Sequence, residues 1–336
     1  MNKKILLIIS LLMFVSQISF GQTKLAQTGL KFLSVGADAR ASALGEAITS
    51  LEGNSSSMFY NPSAMARQES FFDVTFSNTK WIADINYLHA SLSIAPENGN
   101  YGVFGISIAS VDYGTFNETA RIPGASEGYL DLGTYSPTAI AIGLGYAKAL
   151  SEKFAVGGDV RYVYQNLGSG HAVGTTSTDG EYKLQSFDIN VVAFDFGILY
   201  HTGFKSLDFG MSLRNFSQEI EYVEESFQLP LTFKLGVSMN LFDFINVDKN
   251  EHSFLFSVDA DHPRDYKEQI HIGGEYTFLN LVSLRLGYTT PTDEQGINAG
   301  IGLKHSISGI NFGVDYAYLD FGVFQNVHRF AVNISY

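Results

Sequence analysis

Two kinds of side chain alternate along Ile310-Asn-Phe-Gly-Val-Asp-Tyr-Ala-Tyr318. One kind is bulky and apolar, and the other is polar, charged or very small. The same alternation runs through 232–241 and 329–336. Because successive side chains of a β-strand point to opposite faces of its sheet, these stretches are predicted to be strands with one apolar face and one polar face.

The length of the alternating stretches favours a transmembrane barrel over a soluble sandwich. They span about 9–12 residues, whereas soluble strands average about 5–6 and strands that cross a bilayer need about 9–11. Aromatic residues also gather near their ends, as in the aromatic girdles of outer-membrane barrels. These residues are Tyr162, Tyr164, Tyr200, Tyr276, Phe278, Tyr288, Tyr316, Tyr318 and Tyr336.

About fourteen such stretches follow one another, and an even number returns a barrel's chain to the side of the membrane where it began. They are 71–78, 84–95, 101–111, 137–149, 153–165, 189–201, 206–215, 230–241, 252–260, 269–278, 281–289, 297–305, 309–318 and 326–336. Closure of the sheet leaves no unpaired edge in lipid. The predicted fold is therefore all-β, an antiparallel transmembrane barrel of about 14 strands over 71–336 in the bacterial outer membrane.

Connection lengths distinguish the two ends of the predicted barrel. Three long connections are expected outside the cell, namely 112–136, 166–188 and 216–229. Tight periplasmic turns are expected on the other side, at 202–205, 279–280 and 306–308. The connection 242–251 belongs to that side but is unusually long for a tight turn.

Residues 1–21 have the composition of a cleaved signal peptide rather than a membrane anchor. Lys3 and Lys4 precede an apolar run that is too short to span a bilayer, and the small residues Ser19 and Gly21 precede Gln22. Cleavage would remove Lys3 and Lys4, two of the 21 basic residues, and would leave all 34 acidic residues in the chain. Such an acidic chain is not suited to binding nucleic acid, whose phosphates attract Lys and Arg.

Residues 22–70 do not alternate, and two interpretations remain open. The stretch 36–50 is rich in small residues that suit a helix. Residues that interrupt a helix follow at 53–56 and at Asn61-Pro62. The segment is either a disordered leader or a compact, partly helical hatch in the periplasmic half of the barrel. A barrel of this size needs material to fill or line it, which favours the hatch. Asn61 and Pro62 would then form the turn that ends it.

Two stretches of this segment resemble a known family. They are Leu30-Lys-Phe-Leu-Ser-Val-Gly-Ala-Asp-Ala-Arg-Ala-Ser-Ala-Leu-Gly45 and Met58-Phe-Tyr-Asn-Pro-Ser-Ala-Met65, and they are similar to the N-terminal signature of the PorV/PorQ family. That family resembles the FadL-type outer-membrane transporters of hydrophobic compounds. Asn61, Pro62 and Ala64 match the turn of the FadL-like signature, whereas Ser63 and Met65 depart from it. The resemblance implies a FadL-like barrel with an N-terminal hatch, and some family members are accessory barrels of type IX secretion.

Sequence motifs for catalysis or cofactor binding are not found in the chain. It has no cysteine, no Gly-x-Ser-x-Gly, no His-Glu-x-x-His and no phosphate-binding loop, so no cofactor is expected. The Gly-rich stretch 168–174 is interpreted as a flexible outer loop. The stretch 259–265, which surrounds His262, is either a solvated polar loop or a calcium site, because Ca²⁺ prefers several hard oxygen ligands.

Twelve charged side chains fall on the polar face of the predicted strands. They are Asp159, Arg161, Asp195, Asp208, Arg214, Lys234, Asp259, Glu275, Arg285, Lys304, Asp315 and Arg329. They form either a selective polar path or a set of ion pairs that hold the wall and the hatch together. Ion pairs are the simpler interpretation, because charges excluded from lipid must point into the lumen.

Two classes of function are considered. The first is a non-enzymatic barrel that handles hydrophobic small molecules or assists protein export, with lipid, a hydrophobic ligand or secretion proteins as partners. The second is an outer-membrane hydrolase, which is disfavoured because the sequence shows no motif for a nucleophile and its base. Apolar residues of the connection 112–136 favour contact with a partner or a ligand: Tyr113, Phe116, Ile122, Tyr129, Leu130 and Tyr135.

Overall fold

The computed structural model describes residues 28–121, 127–176, 182–222, 225–324 and 326–336. The predicted signal peptide, residues 1–21, lies outside the described residues, as does Ile122. Within the described ranges, every helix is too short or too polar to span a bilayer.

Strands make up most of the described chain. They are β1 (Phe72–Lys80), β2 (Asn86–Ile94), β3 (Val103–Asp112), β4 (Phe116–Arg121), β5 (Tyr129–Tyr135), β6 (Thr138–Ala149), β7 (Phe154–Thr176), β8 (Tyr182–His201), β9 (Asp208–Ser217), β10 (Ile220–Glu221), β11 (Ser226–Phe227), β12 (Thr232–Asn240), β13 (His252–Pro263), β14 (Gln269–Phe278), β15 (Val282–Thr290), β16 (Ile297–Ile307), β17 (Ile310–Leu319) and β18 (Val327–Ser335).

In the part of the chain that the structure describes, fourteen of these strands close into one antiparallel barrel. The pairing of β1 with β18 seals it, from Asp73 opposite Ser335 to Lys80 opposite His328. Each of the fourteen stretches predicted from the alternation overlaps one strand of the barrel, so the predicted fold is confirmed. The remaining strands form two small hairpins, β4–β5 and β10–β11.

The apolar face of the strands points outward, as a barrel in lipid requires. Val314 and Val237 are 50% and 45% exposed, whereas the neighbouring inward residue Ser238 is 4% exposed. The start of β1 and the end of the chain meet at one end of the barrel, where Phe72 and Tyr336 exchange backbone hydrogen bonds of 3.0 and 3.1 Å. The short turns lie at this end, which is therefore the periplasmic one.

The long outer connections are more regular than the sequence predicted. The connection 112–136 contains the hairpin β4–β5, and most of 166–188 is strand, because β7 extends to Thr176 and β8 begins at Tyr182. The interpretation of 168–174 as a flexible loop is therefore wrong, since these residues belong to β7. The long periplasmic connection 242–251 begins with a 3₁₀ helix, Leu241–Phe244.

Residues 28–70 run through the barrel from its outer end to its periplasmic end. They contain one α-helix, α1 (Ala39–Ala43), and the 3₁₀ helices Lys31–Ser34, Ser55–Phe59 and Pro62–Met65. Further 3₁₀ helices occupy connections between strands at Ile82–Asp84 and Pro96–Gly99.

The two ends of this segment are fixed to opposite ends of the barrel. The amide of Gly29 donates to the carbonyl of Gln228 in an outer connection at 3.1 Å. At the other end, Nη2 of Arg67 donates to the carbonyls of Ser151 and Glu152 in a periplasmic turn, at 3.2 and 3.0 Å. The expectation that this segment is confined to the periplasmic half is therefore wrong.

Glycines on the inner face of the strands make room for this segment. A Cβ atom at Gly197 would lie 1.8 Å from Oδ1 of Asn61, and one at Gly157 would lie 2.4 Å from the backbone nitrogen of Ser63. Contacts of the same kind occur at Gly210, Gly236, Gly273, Gly287 and Gly300. The wall therefore receives the backbone of residues 28–70 at van der Waals distance.

Candidate functional site

The Asn61-Pro62 turn joins the inner segment to the barrel wall. Nδ2 of Asn61 donates to the carbonyl of Thr49 at 2.7 Å and to that of Ile198 in β8 at 3.1 Å. Its Oδ1 accepts from the amide of Ser63 at 3.2 Å, which caps the 3₁₀ helix that begins at Pro62. One buried side chain thus fixes the turn, the preceding chain and a membrane strand.

Helix α1 lies deep in the lumen because its side chains are small. Ala39, Ala41 and Ala43 are fully buried, and the helix contacts β15, β16, β17 and β18. Asp38 caps it by accepting from the amide of Ala41 at 3.2 Å. Burial, followed by the nearby carboxylate of Asp315, raises the pKa of Asp38 to about 6.

The hydroxyl of Tyr60 anchors the chain just before α1. It accepts from the amides of Ala37 and Asp38, at 2.7 and 2.9 Å. Burial raises the pKa of Tyr60 well above its ordinary value, so the hydroxyl stays neutral. The guanidinium of Arg214 lies over the Tyr60 ring, 5.7 Å from its centre.

The first ion cluster ties α1 to β14. Nε and Nη2 of Arg40 donate to the two carboxylate oxygens of Glu275, at 3.0 and 2.7 Å. Glu275 also accepts from Nε of Arg285, and Nη1 of Arg285 donates to Asp315 at 2.5 Å. The structure therefore places the predicted residues Glu275, Arg285 and Asp315 together, with Arg40 as an additional member.

The second ion cluster surrounds Arg329, whose side chain is fully buried. Nε donates to Thr79 of β1 at 2.6 Å, and Nη1 donates to Ser42 of α1. The carboxylate of Glu46 lies 3.8 Å from Nη1 and accepts from Ser42 at 2.6 Å. A wall arginine therefore binds α1 from the side opposite to Glu275.

The third cluster brings four predicted residues together. Arg161 contacts Asp159, with Nε 3.3 Å from Oδ2, and also contacts Asp195. Nε of Arg214 lies farther away, 4.0 Å from Oδ2 of Asp195. Asp159, Arg161 and Asp195 are all at least nine-tenths buried, so their charges compensate one another inside the wall.

The fourth group lies on β12, β13 and β14. Nζ of Lys234 is 3.6 Å from Oδ2 of Asp261, and Nε2 of His271 is 3.5 Å from the same oxygen. Nδ1 of His271 contacts the carbonyl of Gly45 at 2.7 Å. Asp259 accepts from the backbone amide of Thr49 at 2.9 Å, which fixes the segment after α1.

The remaining predicted charges lie near the periplasmic end. Asp208 contacts Nδ1 of His201 at 2.6 Å, and Nε2 of His201 is 3.1 Å from Glu52 of the inner segment. Lys304 is exposed and lines the cavity that opens at this end.

Cavities remain around the inner segment, among them a periplasmic one and two outer ones. The periplasmic cavity, about 700 Å³, is lined by Asp38, Arg40, Gln68, Lys304 and Asp315 among others. The outer polar cavity, about 490 Å³, is lined by Arg214, Lys234, Asp261, His271 and Phe321 among others. The outer aromatic cavity, about 550 Å³, is lined by Phe32, Trp81, Tyr87, Tyr113 and Arg329 among others. Residues 36–48, which include α1, lie between the periplasmic cavity and the two outer ones.

Four important side chains escaped the sequence analysis, for two different reasons. Asp261 and His271 lie in phase with Asp259 and Glu275, so the alternation already indicated that they face inward. Arg40 and Glu46 belong to the segment without alternation, where the sequence contains no rule for the direction of a side chain.

The stretch 259–265 is not the polar loop suggested above, because β13 continues to Pro263. Successive residues of a strand face opposite sides, so His262, whose side chain is 59% exposed, cannot bind one cation together with the inward carboxylate of Asp261. Across the described residues, no group of three or more His, Cys, Asp or Glu is arranged to hold a metal ion.

A family model described as the type IX secretion system membrane protein PorP/SprF matches residues 129–336, more than half of the chain. The chain belongs to this family. Membership and the closed barrel together make it an outer-membrane protein. A search of curated proteins found no match.

Solved structures share the fold of this PorP/SprF family member. The toluene transporter TodX of Pseudomonas putida is 12% identical, with 94% of this chain and 99% of TodX covered at a TM-score of 0.58. The toluene transporter TbuX of Ralstonia pickettii is 11% identical, with 90% and 98% covered at 0.57. A FadL homologue of Pseudomonas aeruginosa is 12% identical, with 89% and 98% covered at 0.51. At such identities the likeness shows a FadL-like barrel fold.

Proposed function

We propose that the protein is a closed, non-enzymatic barrel that assists protein export by the type IX secretion system, with residues 22–70 as its hatch. The observation that carries this proposal is the anchoring of the hatch to the wall at both ends and in the middle. Arg40 of the hatch binds Glu275 of β14. Arg329 of the wall binds Ser42 of the hatch, and the Asn61 turn joins the hatch to β8. A lumen filled in this way is unsuited to passing a polypeptide.

The outer hairpins supply a surface for a protein partner. The hairpin β4–β5 carries Phe116, Tyr129 and Leu130, which are 46–49% exposed although they lie beyond the strands that face lipid. Exposed apolar patches of this kind are typical of protein contacts. The partner would be another protein of the secretion machinery.

We also propose that the chain is of the PorV/PorQ type within this group of barrels. The supporting signature, residues 30–45 and 58–65, lies outside the matched range 129–336. These residues form α1 and the Asn61 turn, the two elements that fix the hatch.

The test replaces the three apolar hairpin residues by serine in the native host. Secretion of type IX cargo into the medium should fall strongly in Phe116→Ser/Tyr129→Ser/Leu130→Ser, while the variant barrel still inserts. The control changes Asn117, Thr119 and Thr134 of the same hairpin to serine and should secrete normally. Normal secretion by the apolar variant, or by a strain that lacks the protein, would contradict the proposal.

A second candidate function, uptake of hydrophobic small molecules, is favoured by the outer aromatic cavity. Its walls of Phe32, Trp81, Tyr87 and Tyr113 resemble those of apolar ligand pockets. The charged periplasmic cavity opposes it, since an apolar ligand would have to pass Arg40, Lys304 and Asp315. Uptake of labelled toluene into vesicles that contain the barrel measures this function, and a rate equal to that of empty vesicles excludes it.

A further inference from the structure

The outer polar cavity lies at the outer end of the barrel, where a solute outside the cell can reach it. Residues of the outer connections, such as Asp265, Asp293 and Phe324, form its mouth. Its walls include inward side chains of β9, β12, β13 and β14 and residues Leu33, Gly36 and Glu46 of the inner segment. Its volume of about 490 Å³ lies within the range of about 300–1,000 Å³ found for small-molecule pockets.

Two oppositely charged groups in this cavity have unsatisfied polar atoms. Oδ1 of Asp261 and Nε of Arg214 have no hydrogen-bond partner among the described residues, although both atoms are buried. Asp261 is 8% exposed, and its neighbours Lys234 and His271 both contact the other oxygen, Oδ2. A buried acceptor and a buried donor that lack partners favour a ligand that supplies both.

The separation of the two groups indicates the length of that ligand. Arg214 lies opposite Thr232 on β12, whereas Asp261 lies opposite Lys234 on the other side of the same strand. Two strand spacings and a two-residue offset put their Cα atoms about 12 Å apart at the usual spacings of β-structure. The two charges of a single amino acid are too close together, but each further residue of an extended peptide adds about 3.3 Å.

Other polar groups of the cavity suit the backbone of a peptide. Nδ1 of His271 contacts the carbonyl of Gly45, and its Nε2 has no hydrogen-bond partner among the described residues. The hydroxyl of Thr232 and the amide of Gln269 also line the cavity. The Thr232 hydroxyl and the Gln269 amide nitrogen already donate to the carbonyls of Pro230 and Pro291, at 3.3 and 2.9 Å, so these two side chains offer a peptide their oxygens as acceptors.

We propose that the outer polar cavity binds a short zwitterionic peptide, whose ammonium group contacts Asp261 and whose carboxylate contacts Arg214. The guanidinium provides directed N–H donors for a carboxylate, and Oδ1 of Asp261 provides a charged acceptor for the amine. The site lies on the outer side of the hatch. It therefore recognises peptides without requiring an open lumen.

Trp81 provides a built-in reporter, because it is the single tryptophan of the chain. Its ring lies in an edge-to-face contact with Phe321, 4.9 Å between ring centres, and Phe321 lines the outer polar cavity. The experiment titrates the full chain in detergent with triglycine, N-acetyl-triglycine and triglycine amide. Trp81 fluorescence and titration calorimetry report binding in parallel.

Triglycine should bind at least about tenfold more tightly than either blocked peptide, because each block removes one charged contact. Asp261→Asn should remove the preference for a free amine and keep that for a free carboxylate, and Arg214→Gln should do the reverse. Equal affinity of the native protein for all three peptides would overturn the proposal without any variant. Calorimetry without heat of binding, or variants that keep both preferences, would overturn it as well.

Discussion

Arg40 of α1 and Glu275 of β14 form a bidentate ion pair inside the barrel, with contacts of 3.0 and 2.7 Å. The two side chains are not equivalent. Arg40 retains 27% exposure toward the periplasmic cavity, whereas Glu275 retains 9%. Glu275 also neutralises Arg285, so one carboxylate serves two guanidinium groups.

This asymmetry predicts unequal costs for the two halves of the pair. Glu275→Gln leaves Arg40 and Arg285 without their shared carboxylate and should destabilise the protein by about 3–5 kcal/mol. Arg40→Met keeps the pair of Glu275 with Arg285 and should cost about 1 kcal/mol. Urea unfolding in lipid vesicles measures both, and equal costs would contradict the shared role of Glu275.

The inner glycines predict a contrast between two adjacent residues of β7. Gly157→Ala puts a methyl group 2.4 Å from the backbone of Ser63, so the Asn61 turn must move away from the wall. Gly158→Ala points outward, with its nearest atom at 3.4 Å, and serves as the matched control. We expect the first variant to lose about 1–3 kcal/mol by overpacking and the second to unfold like the native protein in urea. A loss of the same size in both variants would show that strand propensity, and not the turn, sets the cost.

Asp38 predicts a stability change with pH. Its pKa is raised from 3.8 to about 6 in the folded protein, so the favourable contribution of its protonated form is full below pH 4 and is lost as pH rises through 6. In Asp38→Asn, a side-chain oxygen still accepts from the amide of Ala41. Because Asn does not ionise, this loss of stability with rising pH disappears. The variant should gain up to about 3 kcal/mol over the native protein at pH 8 and little at pH 4, measured by heat-modifiable migration in gels.

Asp243 of the periplasmic 3₁₀ helix provides a control, because its pKa is shifted in the opposite direction from that of Asp38. Hydrogen bonds from Lys249 and Ser206 lower its pKa to about 2. Its contribution to stability is therefore present above pH 4 and is lost as pH falls through 2. Asp243→Asn should lower stability at pH 8, and the same pH trend in both variants would contradict the assignment of Asp38.

The sequence determines the barrel strands clearly because lipid on one side and a polar lumen on the other impose a period of two. That constraint applies only within the membrane, and β7 continues to Thr176 in an outer connection. Residues 168–174 lack the alternation, so the sequence predicts a loop where the structure has a strand. The inner cavities depend on α1, whose charged residues Arg40 and Glu46 follow no periodic rule.

The assignment of inner and outer strand faces predicts a difference between Val314 and the adjacent Gly313. Val314→Arg puts a guanidinium into lipid and should cost about 2–4 kcal/mol near the midplane. Gly313→Arg, on the inner face, extends into the periplasmic cavity, where an added Cβ lies 3.5 Å from Asn333. The fraction of folded barrel after insertion into vesicles measures both. Comparable losses would mean that the inner and outer faces are assigned wrongly.

Deletion of residues 22–56 tests the hatch itself. The deletion removes α1 and the contacts of Arg40, Ser42 and Glu46 with the wall, so the periplasmic cavity and the outer cavities should merge into one path. The fourteen strands pair with one another in a closed ring and should remain. We therefore expect an inserted barrel whose ion conductance in planar bilayers exceeds that of the full chain. Arg40→Met, which loosens one contact but leaves the hatch in place, should conduct like the native protein. A truncated barrel that conducts no better than the full chain would show that residues 22–56 do not close the lumen.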